Sequence, residues 1–248
     1  MKLTVVGCAG SYPNATSAAS SYLVEQDGFS LVMDFGSGAL GPMHNYIDPL
    51  RIDAVLLSHL HADHFLDMCS FYVVRRYHPS GIPPIIPVFG PDDVADRLAS
   101  AYGMESAWGL ADVFDARGFP DGEFQVGPFT VTASRVFHPV ACYALRLTAG
   151  GRTLVFSGDT APCESLVAAA QGADVALFEA SFREGDVNPP GLHMTAHEAG
   201  ALAAEAGVGR LILTHLVAWH DNSGALPQAR DAYGGDVVLA EPGMVVEV

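Results

Sequence analysis

The stretch LLSHLHADHFLD, residues 56–67, places three histidines and two aspartates within nine positions, directly behind an apolar run. Its inner pattern, His59-x-His61-x-Asp63-His64, has a physical logic. Side chains two apart in extended chain point to the same side, so His59 and His61 can grip one ion. Asp63 and His64 then enter the first turn of a following helix, turned toward a second ion. Zinc takes imidazole and carboxylate ligands at about 2.0–2.2 Å, so a cluster this rich invites metal.

The rest of the chain extends the pattern. Apolar strand-like runs lead to His59 in DAVLLSH, to His138 in FTVTASRVFH, to Asp159 in RTLVFSGD and to His215 in RLILTH. Ligands commonly sit where buried strands run out into loops, held by the sheet and open to substrate. One histidine at a strand end is ordinarily a hydrogen-bonded structural residue; four such ends, together with the cluster, point to metal. Seven side chains are too many for one tetrahedral ion and fit two.

Length and composition bound the rest. At 248 residues, half of them hydrophobic and 16% charged, the chain can bury a sizeable core and is globular. No apolar stretch approaches the ~20 residues that span a bilayer. The opening MKLTVVGCAG reads as a first strand and not as a signal peptide. Cys8, Cys69, Cys142 and Cys163 form no C-x-x-C pair, so reduced, mostly buried thiols and a cytoplasmic location are expected, with no membrane association. The formal charge of −16 disfavours extended binding of nucleic acid while allowing a small anion where cations sit locally.

Strands are expected in KLTVVG, SYLVEQ, SLVMDFG, DAVLLSH and IIPVFG. Further ones follow in FTVTASRVFH, CYALRLTA, RTLVFSGD, DVALFEA, RLILTH and DVVLAEPGMVVEV. Helices are expected at about 63–77, 91–102, 163–171 and 195–206; the last has Thr195 at its N-cap, Glu198 three residues on and Gly207 at its stop. Each half opens with antiparallel-looking strands and closes with strand–helix alternation. That implies a layered α/β fold, two mixed sheets face to face with helices outside, as one domain over 1–248.

The ordered motifs, from Asp34 in VMDFG through His59-x-His61-x-Asp63-His64, His138 and Asp159 in SGDT to His215 in LTHL, resemble the metallo-β-lactamase superfamily. The resemblance implies its αββα sandwich. It implies that His59, His61 and His138 hold one ion, that Asp63, His64 and His215 hold another, and that Asp159 bridges them. Asp34 would be a buried organiser near the site.

Within the superfamily, true β-lactamases have a cysteine where Asp159 stands, and the flavodiiron branch a glutamate at the position of His61. LHMTAHEAG looks like the segment of the phosphodiesterase and ribonuclease Z-like branch in which a histidine faces the scissile phosphate, here His193. Glu179 in FEASF would orient it. About twenty residues separate His138 from Asp159, too few for the long arm with which the processing nuclease holds transfer RNA. SHLHADHFLDMCSFYVVRRYHPS, GDT followed by Cys163, and EASF are similar to compact bacterial cyclic-nucleotide phosphodiesterases of atypical class II. This resemblance implies hydrolysis of a small cyclic nucleotide, 3′,5′-cyclic AMP to 5′-AMP, through a metal-bridging hydroxide. It also suggests a homodimer.

The cofactor expected is two divalent ions, Zn2+ first, with Mn2+ or Fe2+ compatible with the same N/O ligands. Asp63 would accept a hydrogen bond from the attacking hydroxide, and His193 would protonate the departing ribose oxygen. Arg76, on the helix after the cluster, is a candidate for substrate phosphate, against a surface ion pair. His220, beside Trp219, is a candidate for the cleft wall. Cys163 is expected to pack, not to ligate. Other functions consistent with the ligands are a ribonuclease Z-like nuclease and a lactonase or thioesterase, which would need no acid at His193.

Overall fold

Strands with apolar residues on both faces must be covered on both sides, and that requirement sets the layers here. The computed structural model describes residues 1–219 and 221–248. The strands are β1 (Lys2–Gly10), β2 (Ala18–Ala19), β3 (Ser21–Gln26), β4 (Phe29–Phe35), β5 (Ala54–Leu56), β6 (Ile86–Gly90), β7 (Phe114–Gly118) and β8 (Glu123–Val126). There follow β9 (Phe129–Arg135), β10 (Tyr143–Ala149), β11 (Arg152–Phe156), β12 (Val175–Glu179), β13 (Arg210–Thr214), β14 (Leu216–Val217), β15 (Asp236–Leu239) and β16 (Val245–Glu247). One sheet runs β14-β1-β3-β4-β5-β6-β7, with β2 and β16 also on β1; the other runs β15-β13-β12-β11-β10-β9-β8.

Both sheets are mixed. β1, β3 and β4 pair antiparallel and β4 to β7 parallel. In the second sheet β8 to β11 are antiparallel, and β11, β12, β13 and β15 are parallel. The helices are α1 (Leu40–Met43), α2 (Ala62–Phe65), α3 (Met68–Arg76), α4 (Val94–Tyr102), α5 (Glu164–Ala170), α6 (Ala196–Glu205) and α7 (Ala225–Tyr233).

Alternation along each strand sorts residues into three apolar layers. Leu31, Leu56, Leu145, Phe156 and Ile212 meet between the sheets. Val32, Val55 and Val88, on the other face of the first sheet, pack against Met43, Phe71 and Leu98 of α1, α3 and α4. Val155, Leu211 and Leu213 on the second sheet's outer face pack against Leu166, Ala199 and Ala229 of α5, α6 and α7. Each fully buried Leu, Val or Phe contributes about 1.5–3 kcal/mol of transfer free energy. The αββα sandwich expected from the sequence is the fold observed.

Several boundaries differ. The helix expected at about 63–77 is two, α2 and α3, because the chain between them is tied to β4. The Asp67 N–H donates to the Phe35 carbonyl at 3.1 Å, and the Asp67 carboxylate accepts from the Leu40 N–H at 2.8 Å. The helices expected to start at 91 and 163 begin at Val94 and Glu164. DVVLAEPGMVVEV divides into β15 and β16. β2, β7, β8, β14, α1 and α7 are additions. β7 is an edge strand whose residues after Phe114 are half-buried or exposed, so its apolar signal is weak. Pro227 masks α7 in the sequence, but it lies in the first turn, where its missing N–H has no partner to lose.

Two local features fix the chain near the site. Thr195 and Glu198 form the expected capping box at the start of α6, two residues beyond His193. Gly36 lets β4 pass under the α2 turn, where a Cβ would lie 2.0 Å from the Asp63 carbonyl oxygen.

Candidate metal centre

The ligand-type residues lie just past the strand ends and not on them. β5, β9 and β11 stop three residues before His59, His138 and Asp159, and β13 stops immediately before His215. The parallel strands β5, β11 and β13 deliver their loops to one edge of the sandwich, so residues far apart in the chain converge there.

They converge in two groups that share Asp159. His59, His61, His138 and Asp159 bring one ligand atom each to within 4.8 Å of one another, and so do Asp63, His64, Asp159 and His215. In the first group His59 Nε2 lies 3.1 Å and His138 Nε2 3.3 Å from His61 Nδ1. In the second, His64 Nε2 and His215 Nε2 are 3.1 Å apart, and Asp63 Oδ2 is 3.1 Å from His215 Nε2. Two nitrogens on one tetrahedral ion at about 2.0–2.1 Å each lie roughly 3.3 Å from one another. The ring spacings therefore match ligands around a common cation.

Asp159 supplies an independent test of fit. Its Oδ2 lies 3.6 Å from His59 Nε2, whereas its Oδ1 lies 3.2 Å from His64 Nε2 and 3.6 Å from His215 Nε2. The two oxygens thus face the two groups. Oδ1 is buried and has no hydrogen-bond partner. It faces the His64 and His215 rings without hydrogen-bond geometry to either, and a cation held between these residues would give it a partner.

The outward ring nitrogens are held by oxygen. His59 Nδ1 is 3.1 Å from Ser58 Oγ, His64 Nδ1 2.6 Å from Asp34 Oδ2, His138 Nδ1 2.8 Å from the Leu192 carbonyl, and His215 Nδ1 2.7 Å from Ser181 Oγ. Such partners fix tautomer and ring orientation in metal-binding histidines. Asp34, fully buried, also accepts from the Ser58 N–H at 2.7 Å and from Ser58 Oγ at 2.8 Å. Asp34 and His215 both have left-handed backbone, with φ of 56° and 58°. Non-glycine residues rarely adopt that conformation, and functional sites are where such strain concentrates.

The electrostatics divide the groups. Burial pushes His59 well below the ordinary imidazole value, and burial likewise lowers His61 and His138. Burial also opposes charge on His64, yet the Asp159 and Asp34 carboxylates override it and hold His64 well above the ordinary value. Burial works against ionising Asp159 and Asp63 as well. The surrounding imidazoles, His215, His64 and His59 for Asp159 and His215 and His64 for Asp63, pull both carboxyls below the usual range. Burial raises the Asp34 carboxyl despite its partner His64.

His193 sits between the groups, its ring centroid 5.7 Å from those of both His138 and His215. Its Nδ1 lies 2.8 Å from Glu179 Oε1, and the Phe182 ring stands edge-on to it at 5.1 Å. Glu179 is fully buried and also accepts from the Thr160 and Ser181 N–H groups at 2.9 and 3.0 Å. Burial disfavours charge on His193, but Glu179 and then Asp159 outweigh it and raise the imidazolium to about 9. Glu179, His193 and His215 also form a third set of ligand-type atoms within 4.8 Å.

Residues 28–216 match the family described as the beta-lactamase superfamily domain. The chain belongs to this superfamily. It is 41% identical over 254 residues to the protein ML1173 of Mycobacterium leprae, covering 100% of this chain and 89% of that one. It is 33% identical to the probable metallo-hydrolase YhfI of Bacillus subtilis, over all of both chains. The crystal structure of YhfI superposes with a TM-score of 0.88 at 32% identity, covering 100% of this chain and 99% of that one. Ribonuclease Z of Myxococcus xanthus is 31% identical over 304 aligned positions, covering 100% of this chain and 98% of that one. The chain is thus a metallo-hydrolase of the superfamily whose His/Asp clusters can hold metal ions.

Among the sequence-derived candidates, His59, His61, Asp63, His64, His138, Asp159 and His215 come together, with Asp34, Glu179 and His193 in contact with them. Arg76 does not. Its Nε pairs with Asp112 at 2.7 Å, its guanidinium lies over the Tyr77 ring, and it sits in the last turn of α3. Its neighbour Arg75 turns inward over Phe71 and donates to the Pro84 carbonyl. His220 lies outside the described residues. Ser58 and Ser181 escaped sequence reasoning, although both stand inside the motifs, one before His59 and one two residues after Glu179. Among the described residues no helix is long and apolar enough to cross a membrane.

Proposed function

We propose that this superfamily member is a phosphodiesterase with two divalent ions, Zn2+ first among them, that opens a small cyclic nucleotide, 3′,5′-cyclic AMP to 5′-AMP. The observation that carries the reading is the placement of His193 between two ligand groups, its Nδ1 held 2.8 Å from buried Glu179, a carboxylate that favours the imidazolium. A carboxylic ester needs no such acid, whereas an alkoxide leaving from phosphorus does. His59, His61 and His138 would hold one ion, Asp63, His64 and His215 the other, with Asp159 shared. Bound there, such ions supply an acidified water near neutral pH and positive charge against the phosphoryl oxygens.

The chain's own residues supply the rest. Asp63, held ionised, accepts a hydrogen bond from the attacking water and sets its line. Nδ1 of His193 is fixed by Glu179, which leaves Nε2 to give its proton to the 3′ oxygen as the P–O bond breaks. The ribose oxygen departs as an alcohol, and the product keeps its 5′ phosphate. Positive charge local to the site makes an anionic substrate compatible with a chain of net charge −16.

A second reading, a ribonuclease Z-like nuclease, draws on the 31% identity to the Myxococcus xanthus protein. Against it, that alignment spans 304 positions for a chain of 248, so the relative carries segments with no counterpart here. One experiment separates the readings. The purified protein, analysed for metal, is assayed on cyclic nucleotides, a lactone and a precursor transfer RNA. Cyclic-nucleotide turnover without lactone or transfer-RNA cleavage is expected; cleavage of the precursor alone would overturn the proposal.

A further inference from the structure

A recess of about 270 Å³ opens beside His61, walled by Leu60, Pro91, Val140 and Ala141 and edged by Asp93 and Arg97. It is continuous with the first ligand group, since His61 belongs to both. Asp93 stands at the N-cap of α4, yet its side chain makes no capping bond. Arg97, four residues on, is exposed, and its guanidinium lies 5.9 Å above the Phe65 ring. A carboxylate and a guanidinium at that spacing on a helix commonly pair. Among the described residues, however, no carboxylate lies within ion-pair distance of Arg97, and its contact is the Phe65 face. The helix thus presents one acceptor and one fork of donors to the same aliphatic-walled space.

We infer that this recess is the subsite for the heteroaromatic base of the substrate, with Arg97 and Asp93 as its specificity-determining residues. The inference rests on the proposed phosphodiesterase reading and deepens it. Leu60, Pro91 and Val140 offer flat aliphatic contact to a base plane. Arg97 donates to a ring acceptor in the base, and Asp93 accepts from an exocyclic amino group. Adenine presents that pair side by side at N7 and N6. The recess adjoins the site on the His61 side.

The test compares wild type with Arg97→Ala, Arg97→Lys and Val140→Trp, all metal-loaded. Substrates are the 3′,5′-cyclic nucleotides of the four bases and methyl p-nitrophenyl phosphate, which has no base. For Arg97→Ala, kcat/KM on the preferred nucleotide should fall about tenfold more than on the baseless ester, chiefly through KM, since a lost charged hydrogen bond has that size. Arg97→Lys should recover only part of this, because lysine lacks the fork. Val140→Trp should fill the recess and abolish calorimetric binding of AMP. Equal losses on all five substrates, with AMP binding retained in Val140→Trp, would overturn the subsite. If wild type cleaves none of the cyclic nucleotides, the reaction assigned above fails instead. The subsite is then decided by AMP binding alone: binding that Val140→Trp removes supports it, and no binding to wild type overturns it.

Discussion

The two ligand groups share Asp159 and differ in what holds them. In the first, His59, His61 and His138 are imidazoles held below their ordinary pKa by burial, and the partners of His59 and His138 are neutral oxygens of Ser58 and Leu192. In the second, His64 is pinned to buried Asp34 at 2.6 Å and His215 to Asp63 at 3.1 Å, with left-handed backbone at Asp34 and His215. The first group is a set of ready neutral donors with His61 half-exposed. In the second, the Asp159 and Asp34 carboxylates favour charge on His64 before any cation arrives. A cation entering the second group must compete with a proton on His64, which the first group does not require.

Substitutions that act on one group or on both can break this contrast. Asp159→Asn touches both and should have the largest effect: metal analysis should find neither ion retained, and turnover should fall to background. Retention of both ions with near-normal activity would remove the shared-carboxylate reading. His193→Ala removes no member of either group, so full metal content is expected together with a kcat lower by roughly 10²–10⁴-fold. The loss should shrink on nitrophenyl esters, whose leaving group needs no proton. An equal loss on both substrate types would mean that His193 positions and does not protonate.

Asp34→Asn sharpens the asymmetry. Calorimetric titration of the metal-free protein should show affinity for one ion weakened about 10–100-fold, the range found for partners of ligand histidines, and the other unchanged. A uniform drop at both would mean that the two groups are not separable.

The smallest effect expected is one of pH. His193 is raised from an ordinary 6.5 to about 9, so its protonated form is favoured by the fold. That contribution to stability is complete below about 6.5 and is lost as pH rises through about 9. The kcat profile should fall on its alkaline side as His193 deprotonates. Glu179→Gln removes the main charge that raises it and should move this limb to lower pH, as followed by the histidine resonances in NMR. A limb that stays in place would assign it to another group.

Much of the site was legible in the linear chain because its signal is local. His59, His61, Asp63 and His64 fall within six residues, and an apolar run precedes each of His59, His138, Asp159 and His215. Ser58 and Ser181 were overlooked because serine carries no distinguishing pattern and acts only through the ring that meets it. Arg76 was misplaced for a related reason. Sequence puts it near the cluster, but the α2–α3 break and the turn of α3 aim it at Asp112.

The amino-acid sequence alone determined the layered α/β class and the ligand types, because apolar periodicity and residue chemistry are properties of neighbouring positions. The tertiary structure supplied the distances behind the expected roles of Asp159 and Glu179, and it alone decided that Arg76 pairs with Asp112 and that Arg97 faces an open recess. Those facts are distances between residues far apart in the chain, set by how the two sheets pack and where their loops end.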